Sequence, residues 1–247
     1  MIPKVIHYCW FSGDEKPDFI KKCMNSWSKY MPDYTIRCWD GNSFDWDSVP
    51  YVKEAMEAKK YAHASDYVRM YALYTEGGIY LDTDVEVFRS FDNLLSNRFF
   101  SGVEQFPILI SKHKVSGVCN HVQAAIMASE PRHPYLKDCL ELYANLHFDL
   151  GNGQYDLLEI PRRITNVLHD YGFKEENKTQ SLREGITIYD NSIISNNVDK
   201  NVPESCFAYH WGVKSWGAEK RGKLYQFCWE HDLMTVYHMI EKLIKRK

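Results

Sequence analysis

Hydrophobic and polar positions along this chain switch between a two-residue and a helical period, and the switches mark its elements. Residues 4 to 11, Lys-Val-Ile-His-Tyr-Cys-Trp-Phe, are β-branched and aromatic and stop at Ser12-Gly13-Asp14, which predicts a buried first strand ending in a loop. Asp18 to Tyr30 spaces Phe19, Cys23 and Trp27 as one helical face, and Tyr34 to Trp39 predicts a second short strand closed by Asp40-Gly41-Asn42. Such a β-α-β opening is how a nucleotide-binding α/β half reads from sequence. Val52 to Thr75, rich in Ala, Glu, Lys, Met and Tyr and free of Gly and Pro, predicts one or two helices ended by Gly77-Gly78. Ile79 to Val87 predicts a strand with an apolar front half and an acidic back half.

Further on, Phe99 to Val103 and Phe106 to Ile110 predict strands, Val122 to Ala128 a helix, and Pro131 and Pro134 bracket a break. Helices are expected over Tyr135 to Phe148 and Arg163 to Tyr171, with a loop at Gly151 to Gly153 between them. Ile186 to Ile188 and Cys206 to His210 read as short strands. His231 to Lys247 puts Leu233, Val236, Tyr237, Ile240, Leu243 and Ile244 on one helical face. With no internal repeat and no low-complexity linker, residues 1–247 read as one α/β domain.

Composition narrows the function classes. A hydrophobic share of 45% over 247 residues suffices for one large domain without staples. The formal net charge of -3 leaves no basic field to neutralise a run of phosphates, which excludes nucleic acid as the expected partner. The cysteines, Cys9, Cys23, Cys38, Cys119, Cys139, Cys206 and Cys228, are odd in number and form no Cys-x-x-Cys pair, so they read as reduced thiols of a cytoplasmic protein. No window approaches the roughly 18 to 20 apolar residues of a membrane span. The expectation is a soluble protein, peripheral to a membrane at most.

The chemistry concentrates in Gly77-Gly78-Ile79-Tyr80-Leu81-Asp82-Thr83-Asp84. On a continuous strand Asp82 and Asp84 share one face, separated by about 7 Å of strand rise. Carboxylates so close repel unless a cation lies near them, and a hard divalent ion such as Mn²⁺ or Mg²⁺ takes such oxygens and bridges them to a diphosphate. Ile79 and Leu81 anchor the strand while its end reaches the carboxyl edge of the sheet, where α/β folds bind ligands. The bland alternative is a solvated strand end. Asp82-Thr83-Asp84-Val85 also matches the Asp-x-Asp-x-Val signature of haloacid-dehalogenase-like phosphohydrolases, whose first Asp is a nucleophile. That class carries the motif on its first strand and adds a later acidic pair, and this chain does neither.

Three segments in order, Ile2-Pro3-Lys4-Val5-Ile6-His7-Tyr8-Cys9-Trp10, Ala64-Ser65-Asp66-Tyr67-Val68-Arg69 and Gly77 to Asp84, resemble glycosyltransferase family 32 and the related sugar-binding region containing the Asp-x-Asp motif. The family includes yeast-type initiating mannosyltransferases and bacterial capsule and lipopolysaccharide enzymes, and its core is similar to that of the clostridial glucosylating toxins. The resemblance implies a GT-A type fold: a single Rossmann-like mixed sheet flanked by helices, with a nucleotide-sugar-binding half over 1–90 and an acceptor-side half over 91–247. It implies that Trp10 stacks on the nucleobase, that Asp66 takes donor-sugar hydroxyls and that Arg69, a planar charged fork, approaches the diphosphate. Ser65 and Tyr80 would line the same pocket, Asp82 would contact ribose, sugar and metal, and Asp84 would be the firmer metal ligand. A core ring for Trp10 and a surface ion pair for Asp66 and Arg69 are the plainer alternatives.

Tyr209-His210-Trp211-Gly212-Val213-Lys214-Ser215-Trp216-Gly217 looks like the closing motif of related retaining transferases. There His210 would complete the metal shell, with Ser215 as the alternative ligand, while Lys214, Ser215 and Trp216 meet the departing diphosphate. Asn120 to Pro134 resembles the family's acceptor-side helix, and Pro161 to Asn166 a segment near the sugar, which brings Asn120 and Thr165 into the expected cleft. The implied reaction is retaining transfer from a nucleotide-sugar, UDP-galactose being the preferred donor and GDP-mannose the alternative, to a glycan acceptor of bacterial capsular or surface polysaccharide. No residue stands out as a nucleophile, which favours a front-face mechanism. The basic tip Lys242 to Lys247 would suit an anionic membrane and a lipid-linked acceptor, or would simply be a frayed helix end. A catalytically inactive carbohydrate-binding protein is the rival of another class.

Overall fold

The computed structural model describes residues 1–111, 114–196 and 202–213. Met1–Gly212 forms one compact unit, and every described strand and helix lies within it. The expected closing helix and the Lys214, Ser215 and Trp216 cluster lie outside the described residues.

The chain opens as β1 (Val5–Cys9), α1 (Asp18–Tyr30) and β2 (Thr35–Trp39), followed by α2 (Pro50–Glu57) and α3 (Tyr61–Glu76). Then come β3 (Gly78–Leu81), β4 (Val85–Val87) and a long hairpin of β5 (Phe99–Ser111) and β6 (Lys114–Ser129). Helix α4 (Pro134–Glu141), the small hairpin β7 (Asp149–Gly151) and β8 (Gln154–Tyr155), and α5 (Ile160–His169) follow. Short strands complete the described chain: β9 (Gln180–Ser181), β10 (Ile186–Tyr189), β11 (Ile194–Asn196) and β12 (Ala208–His210).

Seven strands form the main sheet in the order β2-β1-β3-β6-β5-β10-β9. Strand β1 runs parallel to β2 and β3, whereas β6 is antiparallel to both of its neighbours, so the sheet is mixed. This is the α/β architecture expected from the GT-A resemblance. A second, three-stranded sheet runs β11-β12-β4. Each face of the main sheet carries its own apolar layer. Tyr80, Met127 and Phe99 pack with Val68, Leu73, Tyr135 and Ile164 from the helices on one side. Ile79, Leu81 and Ile126 pack with Ile6, Trp27 and Phe91 on the other. Strand β3 is therefore buried on both faces, which explains its unbroken apolar run.

Five expectations are corrected. Val122 to Ala128, expected to be helical, lies within β6. Gln, Ala and Met favour a helix, but here the backbone is paired on both sides, Ile126 to Ser129 with β3 and Val122 onward with β5. The likeness of Asn120 to Pro134 to an acceptor-side helix fails for the same reason. The two strands expected over 99–103 and 106–110 are one, β5, with an irregular register between Ser101 and Val103. Ile79 to Val87 is not one strand, because the chain turns after Leu81 and re-enters in the other sheet as β4. Finally, α4 stops at Glu141 and a 3₁₀ turn, Leu142–Asn145, replaces the rest of the longer helix expected there. Among the described residues no helix is long and apolar enough to cross a membrane.

Candidate metal and donor site

The site begins with the reversal between α3 and β3. Gly77 sits at φ 68°, ψ -166°, a region open essentially to glycine alone, and Gly78 follows at φ 102°. A Cβ on Gly77 would lie 2.6 Å from Pro131 Cδ, and one on Gly78 would lie 2.6 Å from the Val5 carbonyl oxygen. The pair thus packs β3 tightly beside β1, in parallel, with Ile6 opposite Ile79 and His7 opposite Tyr80. That register carries the ends of both strands, Trp10 and Asp82, to the same edge of the sheet.

Asp82 and Asp84 meet through a turn rather than through strand alternation. The Asp82 N–H donates to the Ala125 carbonyl at 2.8 Å, the last tie to β6, and the Val85 N–H donates back to the Asp82 carbonyl at 3.0 Å. Strand β4 then pairs antiparallel with β12, which sets His210 opposite Val85. The Trp211 N–H donates to the Asp84 carbonyl at 3.2 Å and locks that register. As a result the imidazole Nε2 of His210 lies 3.4 Å from Asp84 Oδ1. One ligand atom from each of Asp82, Asp84 and His210 falls within 4.8 Å of the other two. Two carboxylates and an imidazole converging in this way are a donor set that Mn²⁺ accepts, and the residues fit a divalent cation on that chemistry.

Arg69, buried on α3, backs the acidic pair. Its Nη1 lies 3.3 Å from Asp82 Oδ2 and donates to the Ala124 carbonyl at 2.9 Å, while Nη2 reaches Ser65 Oγ at 2.8 Å and Asp66 Oδ1 at 3.2 Å. The guanidinium lies 4.7 Å from the Tyr80 ring centroid, and the Tyr80 hydroxyl donates to Asp82 Oδ1 at 2.9 Å. Burial works against the charge of Arg69, but Asp82, Tyr80 and Asp66 outweigh it and hold the guanidinium more firmly protonated than usual. Helical spacing places Ser65, Asp66 and Arg69 together, and α3 aims them at the end of β3.

The acids respond differently to their surroundings. Burial pushes the Asp66 carboxyl up to about 7, with Arg69 partly opposing and Asp82 adding repulsion. His210 is lowered by desolvation, but the charge and hydrogen bond of Asp84, then Asp82 and Glu104, raise it to about 9. Glu104, buried on β5, is not singled out by the sequence. Burial raises it to about 7, and His210 and Asp82 are the charges it feels most. An isolated Glu in a strand carries no local signal, and only the folded sheet brings it to this centre.

The remaining expected residues lie at the end of β1, on α3 and β3, on β6 and on α5. Trp10 follows β1 with only 8% of its surface exposed; its indole N–H donates to the Asp14 carbonyl at 2.8 Å, and Lys16 Nζ lies 4.9 Å from its ring. Ser65 and Tyr80 hold Arg69 and Asp82. Thr165 accepts from the Val122 N–H at 2.8 Å, and Asn120 bridges Gln105 to the Glu175 carbonyl. These bonds tie β6 to its neighbours, and among the described residues neither side chain hydrogen-bonds to Arg69, Asp82, Asp84 or His210.

Comparison with known proteins adds to this geometry. Residues 17–100 match the family model for the glycosyltransferase sugar-binding region containing the DXD motif. The chain is 29% identical over 141 residues to inositol phosphoceramide mannosyltransferase 2 of Schizosaccharomyces pombe, covering 56% of this chain and 37% of that one. It is 23% identical over 243 residues to an uncharacterized glycosyltransferase of Acanthamoeba polyphaga mimivirus, covering 87% and 84%. Among solved structures, a glycosyltransferase involved in glycosylation of the major capsid of PBCV-1 aligns at a TM-score of 0.48 with 11% identity, over 88% of this chain and 97% of that one. The chain therefore spans little more than a third of the length of the fungal mannosyltransferase, at 37%.

Proposed function

We propose, from the match of residues 17–100 to the glycosyltransferase sugar-binding region containing the DXD motif, that this chain is a divalent-metal-dependent glycosyltransferase that moves a sugar from a nucleotide-sugar to an acceptor hydroxyl. The observation that carries the reading is the convergence of Asp82, Asp84 and His210 beside the buried Arg69. A phosphohydrolase would use Asp82 as a nucleophile, yet both of its oxygens lie 3.3 Å from the Arg69 guanidinium and Tyr80 also donates to it, which suits an anchored binding group better.

Asp82, Asp84 and His210 would hold the cation, which when bound supplies neutralisation of the charge that builds on a departing diphosphate. Arg69 adds a fixed positive charge in a buried setting, where electrostatic stabilisation is strongest. Asp66 offers its carboxylate to donor-sugar hydroxyls, and hydrogen bonds from them would favour its ionised form. Trp10, at the adjacent strand end, would stack on the base. Retention of anomeric configuration by front-face attack, with a leaving phosphate oxygen taking the acceptor proton, needs no further protein nucleophile and is the mechanism we favour.

For the donor, no residue names the sugar, and the resemblance to bacterial family members and toxins implies a UDP-sugar, with UDP-galactose preferred. Two of the fungal relatives, inositol phosphoceramide mannosyltransferases 2 and 3 of Schizosaccharomyces pombe, are mannosyltransferases by name, and this favours GDP-mannose instead. The acceptor is proposed to be a glycan or a lipid-linked glycan. The test is release of nucleotide from a panel of GDP-mannose, UDP-galactose and UDP-glucose with Mn²⁺. GDP-mannose should turn over fastest, EDTA should stop it, and Asp84→Asn should lower it by about a hundredfold or more, the scale of losing a principal electrostatic group. Turnover of a UDP-sugar alone would restore the galactosyl or glucosyl reading. Turnover indifferent to both EDTA and Asp84→Asn would remove the metal from the proposal.

A further inference from the structure

A second group of converging ligands lies on the other half of β6. Cys119 and His121 are two apart on the strand and so share a face. Cys119 Sγ lies 3.1 Å from His121 Nε2 and 3.8 Å from Glu175 Oε2, and the three donor atoms all fall within 4.8 Å of one another. A tetrahedral zinc site, with metal–ligand bonds of about 2.0 to 2.3 Å, sets its ligands roughly 3.5 Å apart. The observed separations bracket that value.

The surroundings hold these donors in place. Glu175 follows α5 in a loop, and its second carboxylate oxygen, Oε1, is engaged by His169 Nε2 at 3.2 Å. Asn120, between the two strand ligands, donates to the Glu175 backbone carbonyl at 3.2 Å and is itself oriented by Gln105 at 3.1 Å. The Gln180 side chain clamps the loop on either side of Glu175, accepting from the Lys174 N–H at 2.9 Å and donating to the carbonyls of Lys174 at 2.8 Å and Glu176 at 3.3 Å. Ligating carboxylates that are themselves hydrogen-bonded, on a fixed backbone, are the usual supporting shell of a metal site.

We infer that Cys119, His121 and Glu175 form a site for a borderline transition-metal cation of the Zn²⁺ type, distinct in its residues and donor chemistry from the centre at Asp82 and Asp84. A sulfur, an imidazole and one carboxylate select Zn²⁺ over Mn²⁺ or Mg²⁺, the reverse of the oxygen-rich centre. Three protein ligands leave one position for water. The bound cation cross-links β6 to the loop after α5, and His169 is a positioning residue that orients Glu175.

Co²⁺, which replaces Zn²⁺ in such sites, provides a readout independent of sugar transfer. The full chain titrated with Co²⁺ should develop a thiolate-to-cobalt charge-transfer band that saturates at one equivalent and is displaced by Zn²⁺. Asp84→Asn should keep the band, whereas Cys119→Ser should lose it. Glu175→Gln, at an exposed position, offers a second variant if Cys119→Ser fails to fold, and should weaken Co²⁺ binding at least tenfold. His169→Ala should weaken binding 10- to 100-fold, as loss of a supporting partner does. No band in the wild-type chain, or a band that survives Cys119→Ser or is untouched by Glu175→Gln, overturns the inference.

Discussion

Arg69 has hydrogen-bond partners for all three guanidinium nitrogens: Nε with the Ser65 carbonyl, Nη1 with Ala124 and Asp82, Nη2 with Ser65 Oγ and Asp66. A lysine offers a single point of charge and cannot reproduce that fork. Arg69→Met should destabilise the chain by about 3 to 5 kcal/mol in urea unfolding, because it strands two carboxyls beside an apolar side chain. Arg69→Lys should recover part of the stability but little of the nucleotide release. Equal stability of Arg69→Met and the wild type would mean that the cluster is solvated rather than buried. His7 makes a different kind of demand. It is fully buried, with Nε2 against the Gly77 carbonyl at 2.8 Å and Nδ1 accepting from the Trp39 indole N–H at 3.1 Å, which requires the neutral ring. Burial lowers its pKa below the ordinary 6.5, with the Gly77 bond partly opposing. The unfolded chain therefore binds the proton more readily. The stability contributed by neutral His7 is complete above about pH 6.5 and is lost as pH falls through the folded value. Against a His7→Gln control, whose amide can still donate to Gly77, the wild-type advantage should shrink between pH 7.5 and pH 5. A constant difference over that range would show that His7 does not carry the linkage.

At the scale of elements, the reversal from α3 into β3 sets the position of the acidic pair. A methyl group on Gly77 meets both a forbidden backbone region and Pro131 and Pro3, each at under 3 Å. Gly77→Ala should cost about 3 kcal/mol or more, the sum of backbone strain and overpacking. Gly151→Ala also has positive φ but open space around it, and should cost only about 1 to 2 kcal/mol. Urea unfolding of the two variants side by side measures the difference, and equal costs would mean that the close approach of β3 to β1 relaxes easily. The same contrast explains what is legible in the sequence. Helix α1 falls at Asp18–Tyr30 as its periodicity predicts, and β1 and β2 fall within a residue or two, because local pattern and tertiary need agree there. Strand β6 reads wrongly because a segment with helical propensity fills a gap between β3 and β5 that only the assembled sheet defines. Asp82 and Asp84 are legible as an acidic pair after the glycine turn and the apolar run of β3, whereas Asp66 and Arg69, on the preceding α3, stand out only by family resemblance. His210 reaches them through the β4–β12 register, across more than a hundred residues, and stands out in the sequence only by family resemblance. Glu104, and the Cys119, His121 and Glu175 group, carry no short-range signature at all.

For the molecule as a whole, the arrangement is a charge imbalance held in a rigid frame. The formal net charge is only -3, yet Asp66, Asp82, Asp84 and Glu104 gather around Arg69 and His210 at one edge of the main sheet. Asp82 and Asp84, joined by Asp66 and Glu104, which burial raises to about 7 and leaves only partly ionised at neutral pH, face two cationic groups, and a divalent cation would offset their remaining excess only in the folded state, since the β4–β12 register that assembles the site does not exist in the unfolded chain. Binding confined to the native state stabilises it by RT ln(1 + [L]/Kd), about 2.7 kcal/mol at a hundredfold excess over Kd. In a domain of this size each kcal/mol raises Tm by about 2 to 4 °C, so saturating Mn²⁺ should lift the melting temperature by roughly 5 to 10 °C. EDTA should reverse the shift. Asp84→Asn should melt close to the metal-free wild type and respond little to Mn²⁺, because it has lost one of the two hard ligands. Cys119→Ser should respond to Mn²⁺ as the wild type does but lose the part of the Zn²⁺ stabilisation that the sulfur site supplies, and Asp84→Asn should do the reverse, so two cations and two variants separate the two centres by calorimetry. If Mn²⁺ leaves the melting temperature of the wild type unchanged, then the acidic edge is not a cation site in the free protein, and the divalent ion must arrive already bound to the donor's diphosphate.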